Sequence, residues 1–342
     1  MGEISSSRRR LRIGACLSLT GKYSRFGNQA AMGLKAWRAL AQDVELIVVD
    51  DGGDPARLGA CIRQLARKCD LLLGPYSTQL MRAAGPAVAE TGAVLWNHGA
   101  AGDDVQAAWP GHVVSVLTPS SRYVAPLLLR LADQAVRAPL WVAEGRGSFG
   151  KQAAAGARKL APTLGLHVER SGPGDALPLV ASPQPWDLLC AGSFEEDVAM
   201  VEHARRLAWP PRTLCAVAAG VRQFGAAVAN PKGVYGIAQW LPGHAIAPVV
   251  GPAEADFLAA YSRVSSDPPD YTAVQAAAAA VIATHCAEVA GSVEPITLWE
   301  TAALLDTSTL FGDFSIDAAS GVQSKHETVL VRWTSDKLTA AE

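Results

Sequence analysis

The chain has 342 residues, 49% hydrophobic and 18% charged, with 30 Lys+Arg against 32 Asp+Glu and a formal net charge of −2. So apolar a composition excludes an intrinsically disordered chain, and the length supports roughly two to three domains' worth of core. The near-balance of charge gives no electrostatic basis for binding nucleic acid or an anionic membrane, so neither is expected as a partner.

At the N-terminus, Arg8, Arg9 and Arg10 form a positive cluster. The run that follows, Ile13 to Leu19, is strand-sized and has no Ala-x-Ala cleavage site, so it does not read as a signal peptide. That leaves a removed leader or a cytoplasmic protein. Membrane insertion is not expected, because the longest apolar candidate, Ala276 to Ala290, is interrupted by Thr284, His285 and Glu288. From there the chain alternates. Arg12 to Leu19 reads as a strand, Gln29 to Leu40 as a helix and Val44 to Val49 as a strand. Asp54-Pro55 opens a helix by cap and first-turn chemistry and runs to about Lys68. Strand Leu71 to Leu73, helix Thr78 to Thr91 and strand Ala93 to Trp96 follow. After a break at Thr118-Pro119-Ser120-Ser121 the pattern restarts with helix Tyr123 to Ala135, strand Pro139 to Ala143, helix Lys151 to Leu164 and strand Leu166 to Glu169. Strand Leu188 to Ala191, helix Glu195 to Ala208, strand Thr213 to Val217, helix Arg222 to Val228 and strand Gly233 to Gln239 complete it. Helices from Glu254 to about Val264 and from Thr272 to Ala290 precede two terminal strands.

Repeated β-α-β units predict parallel sheets covered by helices on both faces. Two such series, with a remainder too small for a third domain, predict two doubly wound lobes joined by several crossings. The expected partition is residues 11–118 with 249–315 in one lobe and 119–248 with 316–342 in the other. Ligands bind beyond the carboxyl ends of parallel strands, so a cleft between the lobes is the expected site.

Catalytic signatures are sparse. The six cysteines (Cys16, Cys61, Cys69, Cys190, Cys215 and Cys286) contain no C-x-x-C pair and read as buried free thiols. No H-E-x-x-H or G-x-S-x-G is present. Asp50-Asp51 at a strand end reads as a solvated turn rather than a metal site, and Gly21-Lys22-Tyr23 lacks the Ser/Thr and upstream glycine of a phosphate loop. Gly145-Arg146-Gly147-Ser148-Phe149-Gly150 is a G-x-G-x-x-G between a strand and a helix, with Glu169 ending the next strand where a ribose-binding acid would stand. It keeps an NAD(P)-dependent enzyme open as an alternative, beside a plain glycine-rich turn facing the cleft. What dominates instead is a set of strand-end loops rich in hydroxyls, small residues and aromatics, including Tyr76-Ser77-Thr78, Asn97-His98-Gly99-Ala100-Ala101, Phe149, Phe194, Gly220-Val221 and Trp240. Hydroxyls and helix-start N–H groups suit a carboxylate or amide, and aromatics suit its apolar remainder. This is a binding cleft without a nucleophile–base pair, so no enzyme activity and no cofactor are expected.

Ile13 to Tyr23 followed by Gly27, Val49-Asp50-Asp51-Gly52-Gly53-Asp54-Pro55, Leu73-Gly74-Pro75-Tyr76-Ser77-Thr78, and Phe257 to Tyr261 with Pro268 to Tyr271 together resemble the type I periplasmic binding proteins. The similarity is greatest to their leucine/isoleucine/valine-binding branch, which serves ABC transporters. It spans roughly residues 11 to 335. The resemblance implies a non-catalytic solute-binding protein with an extracytoplasmic location and an ABC transporter permease as partner. A cytoplasmic ligand sensor of the same fold is the alternative. It also implies carboxylate binding at Ser77, Thr78, Gly99 and Ala101, with Phe149, Phe194 and Val221 closing from the second lobe and Tyr76, Asn97, His98 and Trp240 nearby, Trp96 being a further possible wall. Ala101 stands where amino-acid binders offer Thr, and Val221 near where they offer Glu. These departures point from an unmodified α-amino acid toward a less charged or aromatic carboxylate, or an amide.

Overall fold

The computed structural model describes residues 10–41, 43–173 and 183–341. Two parallel-sheet lobes are present, as the alternation predicts. In the first, β1 (Leu11–Leu17), β2 (Val44–Asp50), β3 (Leu71–Leu73), β4 (Leu95–Asn97) and β5 (Val113–Ser115) form an all-parallel sheet in the order β2-β1-β3-β4-β5. Strand β5 and the short helix α4 (Asp103–Gln106) have no counterpart in the sequence reading. Each is one turn or three residues long, too short to show a period. Helices α1 (Ser24–Leu40), α2 (Pro55–Ala66) and α3 (Thr78–Thr91) cover this sheet. Asp54 caps α2 by accepting from the Arg57 N–H at 2.7 Å, with Pro55 in the first turn.

The second sheet runs β14-β13-β10-β9-β8-β6-β7. Its parallel part comprises β6 (Leu140–Glu144), β7 (Val168–Pro173), β8 (Asp187–Ala191), β9 (Thr213–Ala216) and β10 (Tyr235–Ala238). The terminal strands β13 (Val329–Thr334) and β14 (Lys337–Ala340) extend it antiparallel from β10. Helices α5 (Ala125–Ala132), α6 (Ser148–Thr163), α7 (Phe194–Arg205) and the five-residue α8 (Gln223–Ala227) accompany it. Helix α6 begins at Ser148, three residues before its predicted start, so the glycine turn is shorter than expected.

Between the sheets the chain crosses three times, and the crossings are bonded to one another. Thr118 donates its N–H to Gln239 Oε1 at 3.1 Å, and its hydroxyl lies 2.7 Å from His326 Nδ1. Gln323 Nε2 donates to the Val116 carbonyl at 3.2 Å. After the second crossing come α9 (Glu254–Tyr261), α10 (Tyr271–Ala290) and α11 (Pro295–Leu304), then the hairpin β11 (Thr307–Thr309) and β12 (Gly312–Phe314). Helices α9 and α10 lie against α1. All six cysteines are free thiols, and all but Cys69 are buried.

Helix α10 is long and apolar enough to span a membrane by length and composition, yet it is a core helix, buried without a break from Thr272 to Ala283. An α-helix buried on every side must be apolar all round. Its backbone meets α1 at Gly33, where an added Cβ would lie 2.0 Å from the Ala273 carbonyl oxygen. The intrinsic gain of about 1 kcal/mol for Gly→Ala inside a helix is therefore opposed by a backbone clash that only separation of the helices relieves. Gly33→Ala is expected to lower stability by about 1–3 kcal/mol net, measured as a reduced urea midpoint with an unchanged denaturant slope.

Candidate functional site

At the carboxyl end of β3 the chain turns through Gly74, at φ 129°, to Ser77, at φ 96° and ψ 142°. The first is glycine territory. The second is a conformation that a side chain tolerates only when its surroundings over-determine it, and such outliers concentrate at ligand clamps. Ser77 is fixed by its own N–H, which donates to the Gly99 carbonyl at 3.1 Å, and by its Oγ, which accepts from Leu80 N–H at 3.3 Å as the N-cap of α3. Thr78 Oγ1 accepts from Gly102 N–H at 3.1 Å. Both hydroxyls keep a hydrogen to donate, beside the orphan N–H groups of the first turn of α3.

A cleft of about 500 Å³ opens there between the lobes. Of the residues singled out from sequence, Tyr76, Ser77, Thr78, Gly99 and Ala101 line it from the first lobe, and Phe149, Phe194 and Val221 from the second. Asn97, His98 and Trp240 do not, nor does Trp96. Asn97 is fully buried and shapes the loop from beneath, its Nδ2 donating to the Ala100 carbonyl and Ser115 Oγ and its Oδ1 accepting from Gly99 and Ala100 N–H. His98 is 0% exposed and neither ring nitrogen has a partner. Trp240 and Trp96 belong to the hydrophobic core. Strand-end position marks the loop, but the alternation of side chains decides which residue faces the cleft.

Several lining residues were not among the ligand-binding residues singled out from sequence, although Tyr23 and Phe26 lie in the strand-end loop Gly21 to Gly27 and Gln239 in that of Trp240, both expected to face the cleft. Tyr23 and Phe26 flank Tyr76, and Phe26 stacks on it with ring centroids 4.4 Å apart. Tyr123 meets Phe149 edge-on at 5.3 Å. Tyr271 hydrogen-bonds both Tyr76 and Tyr123, and burial pushes all three phenols up, so they stay neutral donors and acceptors. Gln239 and Gln275 complete the wall. Tyr271 and Gln275 were legible in principle as an i, i+4 polar pair on one face of the first turn of α10.

Charge is confined to the rim. Arg25 lies 4.0 Å over the Phe194 ring and 3.8 Å from Glu195. Arg82 bridges Asp104 of its own lobe and Ser148 of the other, and Gln152 Nε2 donates to Asp104 Oδ1 at 2.6 Å. The lobes thus meet across the mouth through exposed polar contacts, each worth little in water. Among the described lining residues Glu195 is the one carboxylate. The buried Asp270, its pKa pushed up to about 6 by burial, turns to Arg222 and does not line the cleft. Asp197, pushed up to about 8 by burial, accepts from Gly192 and Ala218 N–H at 2.8 Å each and ties two cleft loops together.

The glycine pattern at 145–150 is explained by packing. A Cβ on Gly150 would lie 2.2 Å from the Ala191 carbonyl oxygen, and one on Gly145 2.5 Å from Gly192 Cα, so both serve the close approach of the β6 and β8 loops. Phe149 occupies cleft space against Tyr123, while Glu169 is exposed on β7. Asp50 and Asp51 are engaged by their own turn, accepting from Leu19, Thr20, Gly52, Gly53 and Ser18. A larger groove, about 980 Å³, lies between α5, α6 and β13. The strand-end turns of the cleft do not contribute to it.

The sequence profile of the periplasmic binding protein family matches residues 10–337. No curated protein matches the chain. Among solved structures, the chain is similar to the branched-chain amino acid transporter substrate-binding protein LivJ from Streptococcus pneumoniae in complex with isoleucine (TM-score 0.79, 15% identity, 98% of this chain and 99% of that one). It is also similar to the leucine-binding protein LivK from Thermotoga maritima (0.78, 15%, 97% and 98%). A third is an ABC transporter solute-binding protein from Rhodopseudomonas palustris in complex with 4-hydroxybenzoate (0.77, 18%, 97% and 95%). At these identities the likeness is one of fold.

His98 also yields a pH prediction. Burial holds its pKa down to about 4, against 6.5 for a free imidazole. As pH falls below 6.5 the unfolded chain takes up a proton that the folded chain refuses, so stability is lost between pH 6.5 and 4. His98→Leu removes both unpaired nitrogens. Its stability relative to the parent is expected to rise by about 2 kcal/mol between about pH 7.5 and about pH 5, measured by chemical unfolding at each pH. A pH-independent difference would overturn this assignment.

Proposed function

The chain belongs to the periplasmic binding protein family, and on that premise we propose that it is a solute-binding protein that closes on a small aromatic carboxylate and delivers it to an ABC transporter permease. The moving bodies are residues 11–118 with 249–315 and residues 119–248 with 316–342. The observation that carries the reading is the distribution of charge in the cleft. Its base offers the Ser77 and Thr78 hydroxyls at the start of α3, a ready anion site, and its walls are aromatic. Its one lining carboxylate among the described residues, Glu195, sits exposed at the rim beside Arg25. Val221 is apolar where an ammonium would need a counter-charge, and an unpaired buried ammonium costs several kcal/mol. An aromatic carboxylate satisfies the base and the walls without that penalty. The 4-hydroxybenzoate complex of the Rhodopseudomonas palustris neighbour shows that the fold accommodates such a ligand. Closure would be driven by the ligand's greater affinity for the state in which both lobes touch it.

A cytoplasmic sensor of the same fold is the second reading, favoured by six unpaired cysteines, which suit a reducing compartment. Cell fractionation with antibody detection separates the two.

The test of the ligand is calorimetric titration of stripped, refolded protein with benzoate, its hydroxylated derivatives and leucine. An aromatic carboxylate is expected to bind, and leucine not. Ser77→Gly deletes the hydroxyl without adding backbone strain and is expected to weaken carboxylate binding about 10- to 100-fold, the loss of a hydrogen bond to a charged group. Binding of leucine as tight as that of any aromatic acid would overturn the reading.

A further inference from the structure

Four glutamines are almost wholly buried among the described residues: Gln106, Gln239, Gln275 and Gln323. Three are engaged. Gln106 Nε2 donates to the Ala100 and Leu117 carbonyls. Gln239 accepts from Thr118 N–H and donates to the Thr118 carbonyl, and Gln323 donates to Val116 and accepts from Lys325 and His326 N–H. Gln275 is 1% exposed and has a partner at neither Oε1 nor Nε2. It also lines the cleft, one turn along α10 from Tyr271. A primary amide left unpaired at both ends inside a fold is costly, and the hydroxyls one turn back in α10 do not relieve it: Thr272 Oγ1 is itself without a partner and Tyr271 pairs with Tyr76 and Tyr123.

We propose that Gln275 reads a neutral donor–acceptor edge on the ligand, a carboxamide or lactam whose C=O accepts from Nε2 and whose N–H donates to Oε1. This rests on the aromatic-carboxylate reading of the cleft and narrows it: the ligand carries a carboxylate for the α3 turn and an amide edge for α10. A planar amide is the group that satisfies both ends of a glutamine at once, because donor and acceptor stand side by side in each. A second carboxylate does not, since it offers no donor to Oε1. An alkyl substituent leaves both ends unpaired, and a site built to hydrogen-bond discriminates strongly against the analogue that cannot.

The test is calorimetric titration with benzoate, 3- and 4-carbamoylbenzoate, and the matched 3- and 4-acetylbenzoates, which keep the shape and the carbonyl but lose the N–H. In the parent protein one carbamoyl isomer is expected to bind at least about tenfold tighter than its acetyl counterpart. In Gln275→Leu that ratio is expected to fall to about one, the readout being the ratio within each protein, so a general loss of affinity does not imitate the effect. Gln275→Met, unbranched and adaptable, is the second variant should the first fail to fold. Equal affinities for both matched pairs in the parent, or a ratio that survives in the variants, would overturn the inference while leaving the aromatic-carboxylate reading standing. Failure of every aromatic acid, benzoate included, to bind would overturn both.

Discussion

The cleft depends on a helix that has no outer face. Because α10 is enclosed from Thr272 to Ala283 and touches α1 backbone to backbone at Gly33, it cannot slide, tilt or turn without displacing core on some side. Its first turn is therefore a fixed wall. Tyr271 and Gln275 belong to that wall where it lines the space between the lobes, and Tyr271 carries the hydrogen bonds on to Tyr76 in one lobe and Tyr123 near the other. Groups ordered in this way lose little further entropy if a ligand meets them.

The two lobes contribute unlike chemistry. The first supplies direction, through the strained turn at Gly74 to Ser77 and the hydroxyls at the start of α3. The second adds Phe149 and Phe194 to the Tyr23, Phe26 and Tyr76 rings of the first, and the polar rim contacts that join the lobes draw on both. Those contacts are exposed and individually weak, so they add little to holding the two lobes together. Beneath the surface, Asn97 and Asp197 hold the cleft loops in shape without touching the space they enclose.

Much of this was legible in the sequence. The β-α alternation specified two parallel sheets, and Asp54-Pro55 marked the start of α2 because cap chemistry is local. The Gly74 to Thr78 turn could be read from its place at a strand end, its hydroxyls and its likeness to the family's turn. What could not be read depended on contacts remote in sequence. His98 and Trp240 stand in the correct loops but face the core, because a loop's path and not its position in the chain sets side-chain direction. The glycines at 145 and 150 imitate a dinucleotide turn because close packing of two strand-end loops and close approach of a pyrophosphate place the same demand on the backbone. Gln275 is hidden in an alanine-rich run whose composition signals only burial.

The three crossings between the sheets bear on how the chain reaches its fold. The covering of the first sheet is completed by α9 and α10, so Asp270 N–H meets Gln29 Oε1 across 241 residues of sequence, and Tyr261 meets the same side chain across 232. Neither lobe is a contiguous segment, and neither finishes its core until most of the chain has been made. During synthesis the buried face of α1, with Leu34 and Trp37, waits uncovered while the whole second lobe is translated. Topology of this kind slows folding and prolongs exposure of apolar surface. Until α10 has been made, the apolar face of α1 lacks the helix that buries it, so the threading that builds the cleft also lengthens the time that face is open to wrong contacts.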